Sequence, residues 1–422
     1  MGKSFAKAFY LLTSLFFMWG LITVLVDSLI PRLKEIFELT YFHAGLVQFA
    51  FFIAYGLVSI PAGNLLHRIG YKKGIMLGLS IMALGCLLFT PAASYRIFPV
   101  FMVGFFTLAS GMTILQVAAN PYVTVLGDEK TASSRLNLAQ AFNSLGTTIA
   151  PILGSVLILS DNIKTKEEIQ SLGASAKEIY YVSEASAVKF PFLFLALSLA
   201  VLALIVLTVK LPKLINSNTP SNYGKALKDK KLSLGAIGIF LYVGAEVAIG
   251  SYLVNYFMDM NLADMLRDKN TLSEIDDKAI VGGFVAFYWG GAMLGRFLGA
   301  LLTRMFKPNK VLSVFAALAI LFIVISMLTT GLVAMWSILA VGLFNSIMFP
   351  TIFSIAIEDL GDLKPQGSGV LCTAIAGGAF IPPLYGLLTD MSGFKVAFLL
   401  VICCYLYILF YGRKSLKLNS TT

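Results

Sequence analysis

The sequence predicts an all-α membrane protein of twelve transmembrane helices in two pseudo-symmetric six-helix bundles. Three observations carry that expectation. Of 422 residues, 58% are hydrophobic and 13% charged, and the mean hydropathy is +0.84. A soluble domain carries about 25% charged residues, so a water-soluble globule is excluded, and so is a disordered chain. The apolar residues gather into twelve runs, each long enough to cross a ~30 Å hydrocarbon layer as a helix. Three landmarks of the first half recur in the second half at nearly one offset.

The runs fall at 6–30, 41–66, 74–94, 97–126, 136–160, 189–209, 232–257, 279–303, 309–330, 332–357, 368–389 and 393–412. The first follows Lys3 and Lys7, as in a signal peptide, but it is long enough to span and is read as a retained helix. It carries Trp19, Thr23 and Asp27, four residues apart and therefore on one face. Asp27 falls about 28 Å along a helix that starts at Ala8, near its outer end. After the second run come Gly63, Leu65 and Arg68, then Lys72 and Lys73. This loop brings cations to helix ends where carbonyls are unpaired and the dipole is negative. With Arg304 it is read as a gating element. The fourth run places Gln116 and Asn120 on one face, just before Pro121. The fifth carries a polar stripe of Asn137, Gln140 and Asn143, with Thr147 one turn further.

The segment 161–188 is a polar loop rich in Glu and Lys. The segment 210–231 holds Pro212, Pro220 and four lysines and is the clear linker. It gives an N-terminal bundle over 1–210, a linker over 211–231 and a C-terminal bundle over 232–422. The seventh run holds Glu246 with Tyr242 one turn before, about 21 Å from Leu232 and so deep in the layer. The eighth holds Arg296, eight residues before Arg304, and is expected to let that side chain snorkel to the helix end. The tenth holds Asn345 and Ser346 before Pro350. Intramembrane charges cost roughly 2.5–3.5 kcal/mol on insertion scales, so Asp27, Glu246 and Arg296 each need a reason.

Gly63, Leu65 and Arg68 recur as Gly299, Leu301 and Arg304. Gly146, Pro151 and Gly154 recur as Gly378, Pro383 and Gly386, and Pro121 recurs as Pro350. Offsets this close argue for duplication of a six-helix unit, a common plan among secondary transporters. The net charge is +10. Its basic residues sit in short gaps between runs, which suits membrane orientation and not a nucleic-acid face. Lys and Arg are concentrated in the gaps that share a side with the termini, placing both ends in the cytoplasm. Cys86, Cys372, Cys403 and Cys404 all lie in apolar runs, away from His43 and His67. Four buried thiols are expected, with no disulfide and no metal site.

Amides both donate and accept, and they match neutral polyols better than ions or lipids. An aromatic, a hydroxyl and a carboxylate on one face suit a sugar in the same way. A carboxylate as deep as Glu246 is a candidate proton carrier, or a cation ligand if water reaches it. An enzyme would need a nucleophile with its base or a histidine–metal cluster, and the runs offer neither.

The pattern at 63–73 resembles the loop 2–3 signature of the major facilitator superfamily, departing from it at His67, where an Asp is usual. Phe17–Gly20, Ala119–Gly127, Arg135–Ser144, Tyr288–Met293 and Asn345–Thr351 closely resemble the fucose permease family of that superfamily. The resemblance implies a major facilitator fold and sugar uptake driven by a cation. Asp27 matches the family's acid on the first helix. Its second acid, on the fourth helix, is Gln116 here. Gly244–Ser251, read with Gln116, looks more like the family's glucose/galactose branch, where sodium as well as protons serves as coupling ion. Asn143 matches a sugar-contact position.

The expected function is therefore a symporter, not an enzyme, importing glucose- or galactose-like hexoses by alternating access. It would need no cofactor beyond the coupling ion, H+ or Na+. Trp19, Thr23, Asp27, Gln116, Asn120, Gln140, Asn143 and Asn345 would bind the sugar. Asp27 and Glu246 would couple the cation, with any sodium near one of these two. The partners expected are a small sugar and the lipid bilayer, without nucleic acid, for a monomer in the inner membrane. N-acetylglucosamine, mannose or fucose, or export of an unrelated solute, are the alternatives.

Overall fold

The computed structural model describes residues 3–36, 41–95, 97–157, 169, 171–209, 211–212, 221–266 and 277–418. Within these it leaves out the side chains of 3–5, 26–36, 41–48, 152–157, 174, 183–188, 266 and 279. Asp27 and His43 thus lie outside the described side chains. All regular structure among the described residues is helical. The first bundle consists of α1 (Lys3–Ile36), α2 (Tyr41–Tyr95), α3 (Phe98–Val125), α4 (Ala132–Leu157) and α5 (Ala174–Thr208). The second consists of α6 (Lys230–Asp259), α7 (Val285–Met305), α8 (Pro308–Leu328), α9 (Gly331–Asn345), α10 (Met348–Ala356), α11 (Lys364–Thr373), α12 (Gly377–Ser392) and α13 (Phe394–Leu418).

The twelve crossings follow from these helices. Ten described stretches are long and apolar enough to span a membrane. One of them, Phe49–Tyr95, has 47 residues, far more than one crossing needs. It turns at Gly70, whose φ of 80° and ψ of 165° only glycine adopts without strain, and so supplies two crossings. The last crossing is α4, which carries the amide stripe and matches the apolar run at 136–160. The eighth and ninth of these stretches, Gly331–Ala356 and Glu358–Ser392, bridge breaks. The tenth crossing is split into α9 and α10 at Ser346 and Ile347, and the eleventh into α11 and α12 by a short turn at Ala374–Ala376. Sequence periodicity shows neither break. α5 starts fifteen residues before the sixth apolar run, because its first turns contain good helix formers that are too charged to register as apolar.

Packing repeats between the bundles. In the first, α1 pairs with α4, while α2 packs on α3 and α5. In the second, α6 pairs with α12, α7 with α9, and α8 with α13. These are the same pairings six crossings later. The bundles then meet reciprocally, α2 against α11 and α4 against α7, as a two-fold axis along the membrane normal requires. Close approach depends on small residues. A Cβ on Gly63 would stand 2.8 Å from the Pro365 carbonyl oxygen and 3.4 Å from Gly369 Cα.

Twelve crossings return the chain end to the face where it began, and most described inter-bundle hydrogen bonds lie toward that face. Ser133 and Ser354 share a bond between hydroxyls. Asn137 donates to Thr351 Oγ1 at 3.1 Å, Ser134 to the Ala300 carbonyl at 2.6 Å, and Ser368 to the Val117 carbonyl at 2.8 Å. Lys364 meets Glu129 at 3.4 Å. The short linker helix Tyr223–Leu227 docks here, with Tyr223 donating to the Ile60 carbonyl at 2.6 Å. Burial pushes the Tyr223 hydroxyl up to about 12, so it stays a neutral donor. Cys86, Cys372 and Cys404 are buried, but Cys403 is exposed on the outer surface of α13, correcting the expectation of four buried thiols. It follows from helix rotation, since adjacent residues point about 100° apart.

The α1–α4 contact gives a direct test. A Cβ on Gly146 would collide with the Phe17 carbonyl oxygen, whereas one on Gly290 meets nothing within 4 Å. Gly146→Val should cost about 1–3 kcal/mol and lower the thermal midpoint in detergent. Gly290→Ala should leave that midpoint unchanged or raise it.

Candidate functional site

A cavity of about 170 Å³ lies where the bundles meet. Trp19 of α1, Gln116 of α3, and Gln140 and Asn143 of α4 line it from the first bundle. Tyr242, Val243 and Glu246 of α6, Arg296 of α7, Phe349 of α10, and Ile375 line it from the second. Ile375 sits in the turn between α11 and α12, and Phe349 in the first turn of α10. Both helix breaks therefore open onto the cavity, as in transporters whose sites use interrupted helices.

The polar side chains are held from behind. Gln116 donates to Tyr55 Oη at 2.5 Å. Gln140 donates to Asn120 Oδ1 at 3.3 Å. Asn143 donates to the Phe16 carbonyl at 2.9 Å, at a crossing so tight that a Cβ on Gly20 would strike the Asn143 backbone. Each bond leaves the amide carbonyl oxygen of Gln116, Gln140 or Asn143 to accept from a ligand. Trp19 is 8% exposed and packs against Phe16 at 5.5 Å between ring centroids. Its remaining surface offers an apolar wall.

The charged pair is the main electrostatic feature. Arg296 Nη2 lies 3.8 Å from Glu246 Oε1, and the side chains are 15% and 13% exposed. The same guanidinium donates through Nη1 to Ser144 on α4 and through Nε to the Ser346 carbonyl at 3.2 Å. Arg296 thus does not snorkel, contrary to the sequence expectation. Glu246 offers a counter-charge and Ser144 a hydroxyl nearer than the helix end. Glu246 Oε1 is buried with the Tyr242 hydroxyl near by, and neither atom completes a hydrogen bond of good geometry among the described residues.

Not every expected residue reaches the cavity. Thr23 turns back to donate to the Trp19 carbonyl at 2.8 Å. Asn120 is fully buried and supports Gln140 from outside the lining. Asn345 is also fully buried. It donates to Tyr288 Oη at 2.7 Å and to Tyr405 Oη at 3.2 Å, inside the second bundle. Asn137, at the far end of the amide stripe, joins the inter-bundle contacts. Of the expected gating residues, Lys72 caps α5 through the Leu207 and Val209 carbonyls at 2.8 and 2.9 Å. Arg68 and Lys73 are exposed. Arg304 lines a separate crevice. Sequence reasoning did not single out Val243, Phe349 or Ile375, which carry no polar signal. It could have found Arg296, since Glu246 lies at a similar depth on a neighbouring helix.

Comparison with known proteins supplies a context for this geometry. Residues 10–383 match the family model of the Major Facilitator Superfamily. The chain is 51% identical over 414 residues to the glucose/galactose transporter of Brucella abortus, covering 97% of this chain and 94% of that protein. It is 34% identical over 427 residues to the L-fucose-proton symporter of Escherichia coli, covering 98% and 94%. The crystal structure of the transporter FucP in its outward conformation superposes with a TM-score of 0.89 at 33% identity, covering 98% of this chain and 99% of that one.

The placement of Asn345 separates packing from recognition. Asn345→Ala leaves two buried tyrosine hydroxyls without their amide, a loss of about 1–3 kcal/mol. The thermal midpoint should fall, while the fraction that remains folded should bind its ligand within twofold of the original affinity.

Proposed function

Because the chain belongs to the Major Facilitator Superfamily, we propose that it is a cation-coupled symporter that imports glucose- or galactose-like hexoses by alternating access. The observation that carries this reading is the Glu246–Arg296 pair, set in a cavity lined by both bundles beside three amide side chains and Trp19. Amide oxygens accept from sugar hydroxyls, and an indole face covers the C–H side of a pyranose. The names of the Brucella and Escherichia relatives point to the same class of substrate.

The coupling ion is H+ or Na+, and the pair's geometry suits a proton at Glu246. A guanidinium already stands 3.8 Å from the carboxylate, where a second cation would be repelled. Protonation removes the attraction and frees Arg296 to rearrange toward Ser144, Ser346 or a sugar hydroxyl. Asp27, two turns beyond Trp19 on α1, would be the other cation site and the place for any sodium. Sugar and cation bind together, and joint occupancy lets the bundles rock. The moving units are residues 1–210 and 232–422, tethered by 211–231. The face bearing both termini is assigned to the cytoplasm, and the inter-bundle hydrogen bonds close the bundles on that face. Arg68, Lys72, Lys73 and Arg304 border that closed face as gating residues. Each imported charge then adds about 2.3 kcal/mol per 100 mV to the driving force. The working unit is a single chain in the inner membrane, and no step requires a cofactor or a nucleic acid.

Proteoliposomes test this. Labelled glucose and galactose should enter by counterflow and accumulate under an inward proton or sodium gradient. Glu246→Gln and Asp27→Asn should each abolish accumulation while retaining exchange. Undiminished gradient-driven uptake in either variant would refute the role given to that residue.

A further inference from the structure

A second and larger cavity lies on the face that carries both termini. It encloses about 630 Å³ and is lined by both bundles, within the range of roughly 300–1,000 Å³ usual for small-molecule sites. Six basic side chains line it: Lys130 from the first bundle, and Arg304, Lys307, Lys310, Lys364 and Lys417 from the second. The acids in the lining are Glu129 and Glu358. Both are already engaged, Glu129 by Lys364 at 3.4 Å and Glu358 by Lys231 at 3.7 Å. Lys130, Arg304, Lys307 and Lys310 form no ion pair among the described residues. A general bias of basic residues toward one face explains their number. It does not explain why four uncompensated cations share one concave space, where low-dielectric walls focus the field and raise the local concentration of anions.

We propose that this crevice is a regulatory site for a phosphate-bearing anion that holds the two bundles together on this face. The shared chemistry is a phosphate group carrying one or two negative charges, and its source is either a soluble ester such as a hexose phosphate or the headgroup of an anionic lipid. Arg304 can meet two phosphate oxygens at once, and the lysines supply point charges. The site belongs to one conformation. Ser133 and Ser354 both line it, and their hydroxyls bond to each other across the bundle boundary. Parting the bundles on this face separates Lys130 from Arg304, Lys307 and Lys310 and divides the site. The anion therefore binds the closed arrangement better and shifts the population toward it. Its effect on uptake rests on the transport reading above: an anion acting from the proposed cytoplasmic side slows release of sugar. Its binding does not rest on that reading.

Titration calorimetry on the full-length protein in nanodiscs separates the two. Inorganic phosphate and glucose 6-phosphate, titrated in phosphatidylcholine discs, should bind with an affinity that falls as salt rises, whereas glucose should not compete. The double variant K307Q/K310Q, exposed and away from the sugar cavity, should weaken binding at least tenfold. K130Q, on the opposite bundle, should weaken it several-fold without disturbing glucose binding. If the soluble anions bind only in phosphatidylcholine discs and lose their signal in phosphatidylglycerol discs, the lipid headgroup holds the same site and is its natural source. If they bind equally in both, the source is the soluble ester. Absence of binding by both anions in both lipids, or binding unchanged in K307Q/K310Q and K130Q, would overturn the proposal. In proteoliposomes, glucose 6-phosphate loaded on the proposed cytoplasmic side should slow counterflow in the original protein and not in K307Q/K310Q. Intact binding with unaltered counterflow would overturn the regulatory role.

Discussion

The structure turns on a guanidinium held at the cavity between the bundles, largely buried among protein groups. A charge in that position must be neutralised locally or carried to an interface, and Arg296 is neutralised. It draws together a carboxylate on α6, a backbone carbonyl at the break after α9 and a hydroxyl on α4. Two of these partners lie in its own bundle and the third in the other. Each contact constrains where the rest can go, so one side chain ties the Glu246 carboxylate to a hydroxyl across the bundle boundary. Truncating one member would leave the other charge buried and unpaired, which costs more than the pair contributes.

The inter-bundle contacts show how such a link can act at a distance. The bonds Ser133–Ser354, Asn137–Thr351 and Ser134–Ala300 lie along one side of α4, and Ser144 continues that helix toward the cavity. α4 thus touches the central cavity and the closed face through one continuous element. On the opposite side of the boundary, α2 crosses α11 through Gly63 and Gly369 with backbone almost against backbone. Small residues permit close van der Waals contact there, and no side chain has to be withdrawn when the helices separate.

Much of this was legible in the sequence because a bilayer imposes few solutions. Run length gave the crossings, and the recurrence of Gly63 at Gly299 and of Gly146 at Gly378 pointed to the repeat that the helix pairings display. Trp19, Gln116, Gln140, Asn143 and Glu246 line the cavity because polar groups in a span are expensive and have few places to go. The same reasoning could not tell a lining amide from a structural one. Asn345 and Asn143 look alike in one dimension, but Asn345 is consumed by Tyr288 and Tyr405 from distant segments. Arg296 was misread because snorkelling was weighed along one helix, whereas its partners come from three others. The helix breaks were invisible for a related reason. Residues 374–376 are as apolar as their neighbours, and Asn345 and Ser346 read as polar side chains within a span, so only tertiary packing decides that these segments leave the helix.

Those breaks have a bearing on how the duplicated unit has diverged. Pro121 and Pro350 occupy corresponding places, yet α3 runs unbroken past the first while the crossing that holds the second is split into α9 and α10. Likewise α4 is continuous over its described length where its counterpart is divided into α11 and α12. The fourth and fifth crossings are thus continuous helices in one copy and broken ones in the other, and only the broken copy sets an interrupted backbone against the cavity wall, at Phe349 and Ile375.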